Sequence, residues 1–218
     1  LTQSTYRVMR IAVHPSLQQI GIGSSLLSAL SQMAKENHID SLSTSYGLSS
    51  ELLSFWQKNQ FQAAKLGTKI DGASGLRSTM MMQAISPSAK QLLEAHSQDF
   101  LKSFIFNLNR QHAALSTDIV AMILQSPSVS FIKSIQLSDT KKISAFATAS
   151  RSFEETSMAL FEWLVGAISS AEWHDLSDDK KELLISQILQ NREYKTCLKH
   201  SKITGKRQWL TKLREAVR

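Results

Sequence analysis

Gly21 and Gly23 stand between a β-prone segment and an apolar run at helical spacing, and that placement is suited to holding an anion. Glycine lets a backbone come close to a ligand. The amides that open a helix are unpaired and sit at the positive end of its dipole. Upstream, Met9, Ile11 and Val13 alternate as one face of a strand, which His14-Pro15 stops because proline cannot donate to a ladder and restricts the residue before it. Downstream, Leu26, Leu27, Leu30, Met33 and Ala34 recur at helical spacing. Gln18, Gln19, Ile20, Gly21, Ile22, Gly23 and Ser24 therefore form a candidate pyrophosphate loop. A glycine-rich turn without a ligand is the plainer alternative for Gly-x-Gly alone.

Two other phosphate-binding loops fit less well. A Rossmann loop places its first glycine directly after the strand and a third at the position of Leu26, but seven residues, His14 to Ile20, intervene here. A nucleoside triphosphate loop needs Gly-Lys-Ser or Gly-Lys-Thr, and Gly205-Lys206-Arg207 has neither the hydroxyl nor a preceding glycine loop. Candidate acid–base groups near the loop are His14 and Glu51. His14 before proline reads equally as a loop cap, and Glu51 as a positioning group. No catalytic base is assigned.

The elements that must position these residues divide the chain in two. Strands are expected at Tyr6 to Val13, Ser41 to Tyr46, Phe61 to Leu66 and Leu76 to Ile85, with helices at Ser24 to Asn37 and Ser50 to Asn59, an α/β layout over residues 1–85. From residue 86 to 218 the spacing is helical: Ser88 to Asn109, Thr117 to Gln125, Asp139 to Arg151, Glu154 to Ser169, Ser177 to Lys199 with a break near Asn191, and Lys206 to Val217. All but two of the eight glycines precede Ile85.

Composition excludes several classes. A chain of 218 residues with 42% hydrophobic and 20% charged content can bury a core. Ala159 to Ile168 is too short an apolar run to span a bilayer and is interrupted by Glu162 and Trp163. The N-terminus carries no secretory pattern, so a cytoplasmic location is expected. Cys197 is the single cysteine and no Cys or His pair has zinc spacing, so no metal site is expected. Lys180 to Arg218 holds eleven Lys or Arg against three acids, a local +8 that exceeds the whole-chain +7. Lys195, Lys199, Lys202, Lys206 and Arg207, with Trp209 among them, have the composition of an RNA-binding helix; a solvated face with Trp209 in the core is the bland alternative. Trp56, Trp163 and Trp173 are read as packing residues.

Gln18-Gln-Ile-Gly-Ile-Gly23, after a strand and opening a helix, resembles the Gln/Arg-x-x-Gly-x-Gly/Ala motif of GNAT acetyltransferases, and Ser54-Phe-Trp-Gln-Lys-Asn-Gln-Phe61 resembles that family's second motif. More closely, Arg10-Ile-Ala-Val-His-Pro15, Ser43-x-Ser45-Tyr-Gly47, Glu51-Leu-x-x-Phe-Trp-Gln57 and Gly67-x6-Ser74-Gly75 look like consecutive blocks of the bacterial tRNA(Met) cytidine acetyltransferases, and the helical part is similar, more weakly, to their tail. The resemblance implies acetyl-CoA as coenzyme, ATP used by a separate helicase-like module, and acetylation of the exocyclic amine of the wobble cytidine of elongator tRNA(Met). It also implies coenzyme contacts from Ile11, Ala12 and Val13, from the loop Gln18 to Ser24, and from Glu51 and Lys58, which would otherwise read as solvated helix charges. Asn59-Gln60 stands where the family has a Cys-Gly or Lys-Gly type pair, which leads one to expect a different turn.

A GNAT domain brings three strands and two helices before its coenzyme strand, whereas Leu1 to Thr5 alone precede it here, so residues 1–85 are expected to be the C-terminal half of that domain. The absent strands and the helicase-like module are then expected partners, and weak acetyl-CoA binding without turnover is expected of the chain alone. The rival readings are a GNAT enzyme acting on a small amine or protein, which would acetylate amines without binding RNA, and a non-catalytic RNA-binding fragment, which would yield no acetylated product.

Overall fold

The structure, a computed structural model, describes residues 3–126, 140–195 and 204–218. It divides into two compact units, Leu1–Leu101 and Lys102–Arg218. The first holds a four-stranded sheet in the order β1-β2-β4-β3, made of β1 (Thr5–Val8), β2 (Ser41–Gly47), β3 (Gln62–Ile70) and β4 (Arg77–Ala84). β1 lies parallel to β2, and β4 lies antiparallel to both β2 and β3. Helix α1 (Ile22–Glu36) connects β1 to β2, and α2 (Ser50–Lys58) connects β2 to β3. Helix α3 (Pro87–Phe106) starts in this unit and ends in the second.

Alternation along the strands sets the two faces of the sheet. Leu42 and Met81 are fully buried toward α1 and α2, together with Leu27, Ala34, Leu53 and Trp56. The Trp56 ring stacks on Tyr46 with centroids 6.0 Å apart and meets Phe61 edge-on at 4.7 Å. On the opposite face, the first turns of α3 dock through His96, whose Nε2 lies 2.9 Å from the Ala64 carbonyl, and through Ser97, whose hydroxyl donates to Gln62. Thus fifteen residues beyond the change in composition at Ser86 belong to the sheet's unit.

The second unit is helical: α4 (Thr117–Leu124), α5 (Thr140–Ala147), α6 (Phe153–Ala167), α7 (Ala171–Asp175), α8 (Asp178–Leu184) running on through a π turn at Ile185–Leu189, and α9 (Lys206–Val217). Ser152 and Glu155 form a reciprocal capping box at the start of α6. Its core contains Phe146, Leu160, Leu164, Val165, Leu184 and Leu213.

Three expectations are corrected. The first strand ends at Val8, and Met9 to Val13 are irregular. Short α7 was not foreseen, because five residues cannot display a period. The break expected near Asn191 is present, with Asn191 turning at φ 49°; the expected helix end at Lys199 lies outside the described residues. β3 runs to Ile70 rather than Leu66, and carries two register shifts against β4.

Candidate coenzyme site

The β1–β2 ladder closes with the Val8–Thr44 pair, and the Thr44 hydroxyl donates to the Val8 carbonyl. Beyond it, β2 continues through Ser45, Tyr46 and Gly47, paired with β4 on its other side. Met9 to Val13 do not follow β2, so the two segments part at this point. Ile11, Ala12 and Val13 therefore lie outside the β1–β2 ladder.

His14 caps the 3₁₀ turn Pro15–Leu17: its Nδ1 lies 2.8 Å from the Ser16 hydroxyl and accepts from the Ser16 amide. This Nδ1 geometry is that of the loop-cap reading. Gln18 donates through Nε2 to the Val13 carbonyl at 3.1 Å, binding the turn to the end of the irregular segment. Gln19 at φ 63° and Gly21 at φ 92° then reverse the chain into α1. No side chain caps the first turn of α1, so the amides of Ile22, Gly23 and Ser24 face out at the positive end of a fifteen-residue helix. Amides placed in this way are of the kind that bind anions.

Gly23 sits at a close approach between elements. A β-carbon there would lie 3.1 Å from the Phe55 ring and 3.9 Å from the Val13 side chain, so α1, α2 and the end of the irregular segment meet over this residue. From Ser24 and Ser25 a polar groove of about 670 Å3 runs along α1 past Ser28, Ser31 and Lys35 to Lys58, Asn59 and Gln60. Lys58, exposed in the last turn of α2, thus shares a groove with the loop, whereas exposed Glu51 sits in the first turn of α2, behind the Ser49 cap that accepts from the Leu52 amide.

At the departure Asn59-Gln60, Gln60 adopts φ 66° and Asn59 caps α2 by donating from Nδ2 to the Phe55 carbonyl at 2.7 Å. The turn is thus a left-handed one made by a glutamine, a conformation that glycine adopts at lower cost. Tyr46, part of one of the sequence blocks, carries no site role in the sequence reading. Its hydroxyl meets the Met81 sulfur at 2.8 Å and burial pushes its pKa upward, so it remains protonated. Only the alternation of β2, once its pairing is known, turns it toward α2.

In the second unit, Lys195, Lys206 and Arg207 are exposed, while Lys199 and Lys202 lie outside the described residues. Trp209 is 6% exposed and packs against Phe153 and Tyr194, so it is a core residue. Trp56 and Trp173 are buried as well, and Trp163 is half-buried. Among the described residues no group of three or more His, Cys, Asp or Glu could hold a metal ion, and no helix is long and apolar enough to cross a membrane.

Residues 25–86 match the family model for GNAT acetyltransferase 2. Along 206 residues the chain is 34% identical to tRNA(Met) cytidine acetyltransferase TmcA of Vibrio cholerae serotype O1, covering 94% of this chain and 27% of that protein. The protein of the same name from Nitrosococcus halophilus is 26% identical over 213 residues, 97% of this chain and 29% of its own. That of Thermococcus kodakarensis is 31% identical over 122 residues, 56% of this chain and 15% of its own. The chain therefore spans less than a third of the length of these relatives. It carries a GNAT acetyltransferase sheet followed by helices, and it is a relative of one part of the tRNA(Met) cytidine acetyltransferases.

Proposed function

We propose that this chain supplies the coenzyme-binding half of an acetyltransferase that modifies the exocyclic amine of the wobble cytidine in elongator tRNA(Met), forming N4-acetylcytidine in the cytoplasm. The observation that carries the proposal is the uncapped N-terminus of α1 beside the parting of β1 and β2. Acetyl-CoA, when bound, supplies an acetyl group activated as a thioester. Ile11, Ala12 and Val13 offer backbone to the pantetheine arm. The amides from Gln18 to Ser24 hold the pyrophosphate, and Lys58 meets phosphate along the groove that begins at Ser24. Glu51 positions the coenzyme end of α2. Any use of ATP falls to a helicase-like module outside these residues.

A cytidine amine is a weak, uncharged nucleophile at neutral pH, so orientation and stabilisation of the developing oxyanion matter more than a strong base. One proton must leave as the amide forms. His14 is occupied as a cap, and no base is assigned to that proton.

The tail of exposed cations is read as the tRNA-docking element. Lys206 and Arg207 occupy the first turn of α9, where no acid stands. Two cations at the positive end of a helix repel its dipole, and a phosphate between them would relieve that repulsion. Calorimetric titration of the whole chain with acetyl-CoA tests the coenzyme site. Binding is expected in the wild type, with at least a hundredfold loss in Gly21→Glu, whose side chain is strained at φ 92° and puts a carboxylate against the pyrophosphate. A folded wild-type chain that binds no acetyl-CoA would remove the proposal. Nucleoside mass spectrometry of tRNA(Met) treated with the longer protein tests the reaction.

A further inference from the structure

The sheet face away from α1 and α2 holds a second polar feature. Ser43 and Ser45 of β2 point to this face, as the opposite parity of Leu42 and Tyr46 requires, and register aligns Arg7 of β1 with Ser43 and Lys65 of β3 with Met80, itself opposite Ser45. Together with Gly67 and Ser78 these residues line a concavity of about 250 Å3 that contains no carboxylate.

Three properties make it a ligand site rather than a solvated dip. Ser43 is 5% exposed, yet its hydroxyl has no hydrogen-bond partner among the described residues, so a buried donor opens on the cavity. Arg7 and Lys65 likewise have no acidic partner among those residues, leaving two uncompensated positive charges on one small concavity. Serine and glycine keep the floor low between them: a β-carbon at Gly67 would come within 2.4 Å of the Ser78 hydroxyl. An oxyanion with several acceptor oxygens satisfies a guanidinium, an ammonium and a hydroxyl at once. The lining also includes Thr44, the partner of Val8 in the last β1–β2 pair, and Ser45 just beyond it.

We propose that Arg7, Ser43 and Lys65 form a phosphate-binding subsite that holds the backbone of the acceptor polynucleotide. It deepens the acetyl-transfer reading above and rests on it for the word acceptor; the anion site itself rests on the cavity. A nucleotide is positioned here by its phosphate, which fixes register without reading sequence.

Amide chemical-shift mapping of the full chain tests the subsite, with cytidine 5′-monophosphate and inorganic phosphate as separate probes. The nucleotide is expected to shift the amides of Arg7, Ser43, Ser45 and Lys65, and to bind more tightly than inorganic phosphate. An Arg7→Gln/Lys65→Gln double variant that keeps a dispersed spectrum should weaken it about tenfold or more, and its acetyl-CoA affinity should stay within about twofold because neither residue touches the α1 loop. Ser43→Ala should weaken the nucleotide too. Shifts confined to residues 204–218, equal affinity for inorganic phosphate, or an unchanged double variant would each overturn the subsite. Loss of acetyl-CoA binding in the wild type with nucleotide binding intact would instead sink the coenzyme reading alone.

Discussion

Gln60 and Gly21 show how single residues carry this fold at different cost. Both have positive φ, but only one is glycine. A left-handed glutamine costs roughly 1–2 kcal/mol relative to glycine, of which a glycine's greater unfolded freedom returns part. Gln60→Gly is therefore expected to stabilise the sheet unit by about 0.5–1 kcal/mol, read as a higher denaturant midpoint with an unchanged slope. Gly23 shows the reverse. Its absent side chain is what lets Phe55 and Val13 approach α1, so Gly23→Ala should weaken acetyl-CoA binding by shifting that first turn while leaving the overall fold in place. An unaltered affinity in Gly23→Ala would show that the packing over this residue tolerates a methyl group.

Between elements, Asp40 ties three together. One carboxylate oxygen accepts from the Ser4 amide and hydroxyl just before β1, and the other accepts from the Ser86 hydroxyl at the start of α3. These bonds, with Ser86 foremost, hold its pKa below the ordinary value of 3.8. A group depressed in the folded state contributes stability above its unfolded value, and that contribution is lost as pH falls through the folded one. The sheet unit should therefore lose stability on acidification from just above pH 3.8 downward, and Asp40→Asn should flatten that part of the profile. An equal acid loss in Asp40→Asn would place the effect elsewhere. The parting of β1 from β2 also belongs to this scale. Apolar alternation runs unbroken from Met9 to Val13, yet the strand stops at Val8, because pairing depends on where the partner strand goes and not on one segment's pattern.

For the molecule as a whole, two compact units predict two calorimetric unfolding transitions. Saturating acetyl-CoA should raise only the transition that belongs to the sheet unit, since a ligand stabilises the state that binds it. A single shifted transition would show that the units unfold together. Binding of single-stranded RNA should weaken with salt, and Lys206→Gln/Arg207→Gln should lower the logarithmic salt slope by about one to two if these residues meet phosphates. An unchanged slope would return them to the solvated face that charge alone also allows.

The sequence by itself determined the order and type of most elements, the glycine turn into α1 and the buried tryptophans, because local periodicity and glycine placement are written in neighbouring residues. Tertiary structure alone decided where the first strand ends, which way Tyr46 and Ser43 face, and that Arg7 and Lys65, fifty-eight positions apart, line one cavity. Those outcomes depend on strand order and register. Both are set by contacts between segments distant in the chain, and no local pattern encodes them.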